Sequence, residues 1–306
     1  MNKILRWFYS KVLSKRYFPN GVTMSTRKTF MKKIVIFAAL SLIIALIYSA
    51  TAMAYDHLIT NDTSAVQEAG TMKAEAQLLY WTADEGFDQD AETYDLGDDS
   101  SNKMAIPVKF RYGVMDNLEA FGVLGLFENW DFGELGESGV GDLWLGVKYT
   151  VMPEGLLTVR GALDIPLGDD EKGLGYEGGF GIDIAAMTAT QMDAIGMNAQ
   201  AGLRWSAEDG DTKLQPGIGF YLDGEGSYAL SDVLKAQAGL EFMIIGDRKL
   251  DGESQDKSTK NWIELNLGAT YSLTENMGIK GDFLYNLAGK NTEKNMGILI
   301  GFMYGF

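Results

Sequence analysis

The sequence predicts an all-β protein, a single 12-stranded antiparallel transmembrane β-barrel behind a cleavable signal peptide. Three observations carry that expectation. Apolar and polar residues alternate over repeated segments of about ten residues, the length a tilted membrane-spanning strand needs. The connections between segments are short and long in turn. Aromatic residues gather at the segment ends, where indole and phenol rings favour the headgroup level of a bilayer.

The N-terminus reads as an export signal. Lys32-Lys33 precede an uncharged apolar run from Ile34 to Tyr48, and Ala52-Met53-Ala54 follows. A basic region, an apolar region and a small-x-small site are the parts of a secretory signal peptide. The run is short of the about 20 residues a spanning helix needs. Cleavage is expected after Ala54, with a mature start at Tyr55. Residues 1–30 read as an over-long basic region or an early start codon, with Met24 and Met31 as later starts. The chain thus divides into 1–54, a segment 55–70 and a barrel 71–306. The segment Tyr55–Gly70 either enters the lumen or lies in the periplasm.

Composition removes several function classes. The chain has 306 residues, no cysteine, 37 glycines and a formal charge of −16. Without residues 1–54 the charge is −25, from 17 basic and 42 acidic groups. Such acidity argues against a nucleic-acid partner. Absent cysteines exclude disulfides, Cys-ligated zinc, iron–sulfur clusters and thiol catalysis.

The strands follow in order. Met72–Trp81 comes first, then Met104–Tyr112, Leu118–Trp130, Leu143–Tyr149, Leu157–Leu167 and Phe180–Ile184. Ile195–Trp205, Ile218–Tyr228, Leu234–Ile244, Ile263–Leu267, Ile279–Tyr285 and Met296–Phe306 complete the set. Successive side chains on a strand point to opposite faces, so each segment has an apolar face for lipid and a polar face for the lumen. In the last one Met296, Ile298, Ile300, Phe302, Tyr304 and Phe306 share the apolar face. The inward face collects Lys109, Arg111, Asp142, Lys148, Arg160, Asp164, Arg204, Glu241, Glu264, Lys280 and Asp282, the candidate lumen lining.

The short connections carry Asp116, Glu154, Asp193, Asp232 and Glu275, spaced by 38, 39, 39 and 43 residues, a hairpin-sized repeat. The long ones are Thr82–Asn102, Asp131–Gly139, Gly168–Gly175, Ser206–Lys213, Gly246–Thr259 and Ala288–Lys294, mostly acidic. Short turns on the periplasmic side and long loops outside are the outer-membrane plan. Tyr112, Tyr149, Tyr228, Tyr271, Tyr304 and Phe306 form one expected aromatic girdle; Trp81, Trp130, Trp205 and Tyr285 form the other. The terminal Phe306 behind alternating aromatics resembles the C-terminal signal of bacterial outer-membrane barrels, which implies recognition by the barrel-assembly machinery.

Three patches resemble a known family: Leu58-Ile-Thr-Asn-Asp-Thr-Ser64, Gly139-Val-Gly-Asp-Leu-Trp-Leu-Gly-Val-Lys-Tyr149 and Leu163-Asp-Ile-Pro-Leu-Gly-Asp169. Together they are similar to the "Putative MetA-pathway of phenol degradation" family over most of the mature chain. The resemblance implies an exported outer-membrane barrel that transports aromatic or other hydrophobic compounds. Two positions depart from the pattern: His57 stands directly before Leu58, where a proline is frequent, and Asn61 takes an expected acidic place.

Little points to catalysis. The one histidine, His57, precedes the first strand, whereas a Ser-His hydrolase needs a histidine beside a serine on the barrel wall. Gly141, Gly146 and Gly168 read as bends, with no helix to make a phosphate site. Asp88-x-Asp90-x-Glu92 has the start of a calcium loop, but Thr93 stands where the turn glycine belongs, which makes it a weak metal candidate. No enzyme activity and no cofactor are expected. The partners expected are outer-membrane lipid, lipopolysaccharide and an unidentified small solute. Two functions stay open: a passive outer-membrane channel, or a closed structural barrel that acts through its acidic loops.

Overall fold

The computed structural model describes residues 62–306, except 133–134, 153–155, 170–173 and 176–177; side chains are not described at 99 and 130–136. The expected signal peptide, His57 and Glu154 lie outside the described residues, as does the side chain of Trp130.

Twelve long strands form the wall: β1 (Met72–Ala83), β2 (Ser101–Met115), β3 (Leu118–Phe132), β4 (Leu143–Met152), β5 (Leu157–Ile165) and β6 (Gly181–Met192) make one half. The other half is β7 (Ile195–Ser206), β8 (Gly219–Ala229), β9 (Leu234–Ile245), β10 (Lys260–Ser272), β11 (Met277–Lys290) and β12 (Met296–Gly305). Each pairs antiparallel with its sequence neighbours. Closure is made by β1, which pairs with β12 from Lys73↔Gly305 to Thr82↔Met296 and with β2 from Met72↔Tyr112 to Ala83↔Ser101. A closed sheet leaves no unpaired edge, the one strand arrangement a hydrocarbon core accepts. Pro107, which donates no ladder bond, sits at a register shift between β2 and β3.

The wall sorts its side chains by strand parity. On β12 Met296, Ile298, Ile300 and Phe302 are exposed while Gly297, Leu299 and Gly301 are buried. The outward rows of Leu, Ile, Val and Phe on every strand form a surface whose only low-energy surroundings are lipid. Tyr112, Tyr149, Tyr228, Tyr271, Tyr304 and Phe306 are exposed near the short-turn ends, and the Tyr304 and Phe306 rings meet edge to face at 4.6 Å. At the long-loop ends Trp205 is exposed and Tyr285 half-buried.

Trp81 departs from its expected place. It is 5% exposed and points inward, while Tyr80 takes the outward position at 46%. The reason is parity: Trp81 shares a face with Gln77 and Leu79, both buried. Gly297, its register partner on β12, leaves the room, because a side chain there would run into the indole ring.

The long connections hold more structure than loops. Glu85–Phe87 pairs with Thr93–Asp95 and with Thr292–Glu293, forming a small sheet above the barrel. Leu135–Gly139 turns back along the upper end of β3. Leu214–Gln215, Lys249–Leu250 and Glu253–Ser254 make a third sheet.

Candidate functional site

The lumen is built from side chains that the alternation sends inward. Lys109, Arg111, Asp142, Lys148, Arg160, Asp164, Arg204, Glu241, Glu264 and Asp282 are all buried, and Lys280 is partly so. They form separate groups, not one continuous lining.

The first group surrounds a residue that precedes the barrel. Asp62 lies between β2 and β4, with its carboxylate 3.0 Å from Lys109 Nζ, 3.3 Å from Lys148 Nζ and 3.9 Å from Arg111 Nη2. Glu119 on β3 completes the network, 2.9 Å from Arg111 Nε and 3.1 Å from Lys148 Nζ. The backbone of the same segment is also held. Lys148 Nζ donates to the carbonyls of Thr63 and Ala65, Arg111 Nη2 to that of Ala65, and Thr158 Oγ1 to that of Ser64. Gln67 N–H donates to Glu119 Oε2, and Gly70 N–H to the Gly113 carbonyl at the short-turn rim. Of the two places open to the segment, its described residues 62–70 take the lumen, which they enter from the short-turn side.

Asp62 carries the electrostatics of that contact. Burial alone would raise its pKa, but Lys109, Lys148 and Arg111 outweigh burial and hold it well below the ordinary 3.8. A folded-state pKa below the unfolded one stabilises docking above the ordinary value, and this is lost only as pH falls through the depressed value. The segment is expected to stay docked from about pH 7 to about pH 4 and to release in stronger acid. Conductance recorded over a pH series checks this; release already near pH 6 would refute the role of Asp62.

A second group sits higher, among β5 to β8. Asp183 Oδ1 lies 2.8 Å from Arg160 Nη2 and accepts the Tyr221 hydroxyl at 3.0 Å; Arg204 Nε is 3.6 Å from its other oxygen. Arg160 also donates to Tyr221 Oη and to Gln200 Oε1. The Arg204 guanidinium lies 4.7 Å from the Trp144 ring centroid, a cation–π contact.

The opposite wall is acidic. Asp223, Glu241 and Glu264 are direct register partners on β8, β9 and β10, and all three are buried. Lys280 and Asp282 pair at 3.0 Å on β11. Asp142 is used elsewhere: its Oδ1 accepts the N–H groups of Leu167 and Gly168, pinning the loop after β5.

Toward the long loops the inner wall turns aromatic. Trp81, Trp144, Tyr221 and Trp262 are all buried within a few residues of the long-loop ends of their strands. Met243, Leu284 and Leu299 lie with them in apolar clusters on the inner face, as do Phe121 and Val123 beside Trp144. The Trp262 indole N–H is buried without a hydrogen-bond partner among the described residues.

The weak metal candidate lies in the loop after β1. Asp88 Oδ1 accepts the N–H groups of Asp90 and Glu92 and so fastens its own turn. Among the described residues no cluster of three or more His, Cys, Asp or Glu could hold a metal ion.

Asp62, Glu119, Asp183, Tyr221 and Asp223 are the residues of these groups missing from the expected lining. Asp62 lies inside the family-like patch Leu58–Ser64, which is its one signal in the sequence. Glu119 was obscured because its inward neighbours, Phe121 and Val123, are apolar.

No curated protein matches the chain. Among solved structures it is similar to the COG4313 outer membrane channel from Pseudomonas putida F1, at 16% identity and a TM-score of 0.66. That match covers 79% of this chain and 98% of the other. It is also similar to the beta domain of the Bordetella autotransporter Brka, at 12% identity and a TM-score of 0.50, over 78% of this chain and 100% of the other. Both likenesses concern the barrel fold. The family model described as "Putative MetA-pathway of phenol degradation" matches residues 59–302, from before β1 into the last strand, and the chain belongs to that family.

Proposed function

We propose that the chain is an outer-membrane channel for the passive passage of small solutes, aromatic compounds among them. Residues 62–70 act as its stopper. The observation that carries this reading is the nature of the obstruction. The segment in the lumen is no part of the wall ladder until Thr71, and ion pairs and single hydrogen bonds hold it. Such contacts can be released while the barrel stays intact, because the wall hydrogen bonds do not depend on them.

The inner wall supports the aromatic part of this reading. Buried indoles and Tyr221 near the outer end offer apolar faces, and the free Trp262 N–H can donate to a solute oxygen. Beside and below them the other inward charges, Asp142 apart, would line the path as separate groups, with basic groups beside Asp62 and acidic ones on β8 to β10. The similar fold of a solved outer membrane channel supports the same reading.

Planar-bilayer conductance of the refolded chain Tyr55–Phe306 tests it. The native chain should give rare or small steps. Gly113→Ala should give frequent steps, because a Cβ there would strike the backbone carbonyls of Gln67 and Glu68 and push the segment out. A folded, inserted barrel that stays silent in both forms would return the function to its outer loops.

A further inference from the structure

The wall groups that hold residues 62–65 form a carboxylate cradle, which the chain fills with its own Asp62. We propose that a small solute with a carboxylate on an apolar body binds there in place of Asp62 and so frees the segment. This binding rests on the stopper reading and adds to it the chemical class of the solute that opens the channel.

The cradle belongs to the wall. Lys109 and Arg111 stand on β2, Lys148 on β4 and Thr158 on β5, and all four meet residues 62–65 as donors. Glu119 on β3 lies between them and holds Arg111 at 2.9 Å and Lys148 at 3.1 Å. Those two contacts do not involve the segment, so both cations keep their places when it leaves. A site ordered in advance costs a ligand little to organise.

Exchange decides what can replace Asp62. The side chains of Lys109, Arg111 and Lys148 are all 6% exposed or less, and buried cations left without a counter-charge are strongly destabilising. A neutral solute that displaced the segment would leave them so, and a cation would add repulsion. A carboxylate restores what Asp62 supplied, one charge for one charge. The preference therefore needs no excess of positive charge around the cradle. Its strength shows in Asp62 itself, whose carboxyl stays well below the ordinary pKa despite burial.

The apolar body is set by what adjoins the cradle. Glu119, Phe121 and Val123 follow one another along the inner face of β3, opposite Lys148, Gly146 and Trp144 on β4. Phe121, Val123 and Trp144 form a buried apolar cluster on the long-loop side of the cations, and Lys109 Nζ lies 5.3 Å from the Phe121 ring centroid. A solute whose carboxylate fills the cradle can lay an aryl or alkyl group along that cluster. Because it binds only where Asp62 has left, it shifts the segment toward release.

The chain has no cysteine, so Ala65→Cys takes a single nitroxide label; Ala65 is exposed and is held through its backbone. Electron paramagnetic resonance of the labelled, detergent-folded chain Tyr55–Phe306 then reads release directly. Benzoate is the probe, with uncharged benzamide and chloride at equal ionic strength as comparisons. Benzoate should turn an immobile spectrum mobile and saturate, and the other two should not. Gly113→Ala and Asp62→Asn empty the cradle in different ways, by collision and by loss of charge. In both, calorimetry should find benzoate bound at least tenfold more tightly than in the native chain, because nothing competes for the site. Equal mobilisation by benzamide or chloride, no mobilisation by benzoate, or unchanged affinity in both variants would overturn the proposal. Bilayer conductance keeps the two readings apart. Benzoate that frees the label without raising conductance upholds the cradle and sinks the channel; variants that conduct while benzoate leaves the label immobile do the reverse.

Discussion

Asp62→Asn is expected to raise the mean current through the barrel at least tenfold at neutral pH. The Asp62 carboxylate faces Lys109 at 3.0 Å and Lys148 at 3.3 Å, all nearly or fully buried. Removing one partner of a buried ion pair costs about 3–5 kcal/mol, because the other charges are left without compensation. At about 1.4 kcal/mol per tenfold, that shifts the docked-to-released ratio by about a hundredfold or more. The wall ladder is unaffected, so the variant should still fold and insert, as its heat-modifiable gel mobility would show. Release also uncovers three cations against Glu119, so the reversal potential should move toward anions. Gly113→Ala should reproduce both effects, since it expels the same segment by collision with its backbone. Native conductance from a well-folded Asp62→Asn protein would show that the segment does not close the pore.

Asp183→Asn is expected to destabilise the barrel itself by about 3–5 kcal/mol. Its two oxygens meet Arg160 at 2.8 Å, Tyr221 at 3.0 Å and Arg204 at 3.6 Å, and no side chain of the charged trio is more than 1% exposed. A neutral amide cannot compensate two guanidinium groups in a dry interior. Urea unfolding in lipid vesicles, followed by tryptophan fluorescence, gives the loss directly. The triple variant Asp183→Leu/Arg160→Met/Arg204→Met should recover much of it, because a well-packed apolar group needs no counter-charge. A loss below about 1 kcal/mol would mean the group is bathed in water, as surface pairs are. That outcome would favour a wide wet pore at this level and a shift of ion selectivity in Arg160→Gln.

The two experiments address different layers of the molecule. Asp62 joins a removable segment to the wall, whereas Asp183 joins wall strands to each other. A large conductance change in the first with little stability change, and the reverse in the second, would separate stopper from scaffold.

The sequence by itself determined the wall. Twelve strands in order, the short and long connections and the outward face of β12 all follow from a period of two and from turn residues. These are local properties, set by where each side chain points relative to its own neighbours. The inward direction of Lys109, Arg160 or Glu264 is legible for the same reason. Trp81 shows the limit, since its polarity suits either the lipid interface or the lumen, and Gly297 on β12 decided which. What only the tertiary structure decided is which inward groups meet. Asp62 finds Lys148 across 86 positions of chain, Arg160 finds Tyr221 across 61, and Asn291 finds Lys257 across 34. Such meetings depend on strand register, barrel closure and the return of the N-terminal segment into the lumen. The alternation of residues carries no information on those, because every register that preserves parity satisfies it equally well.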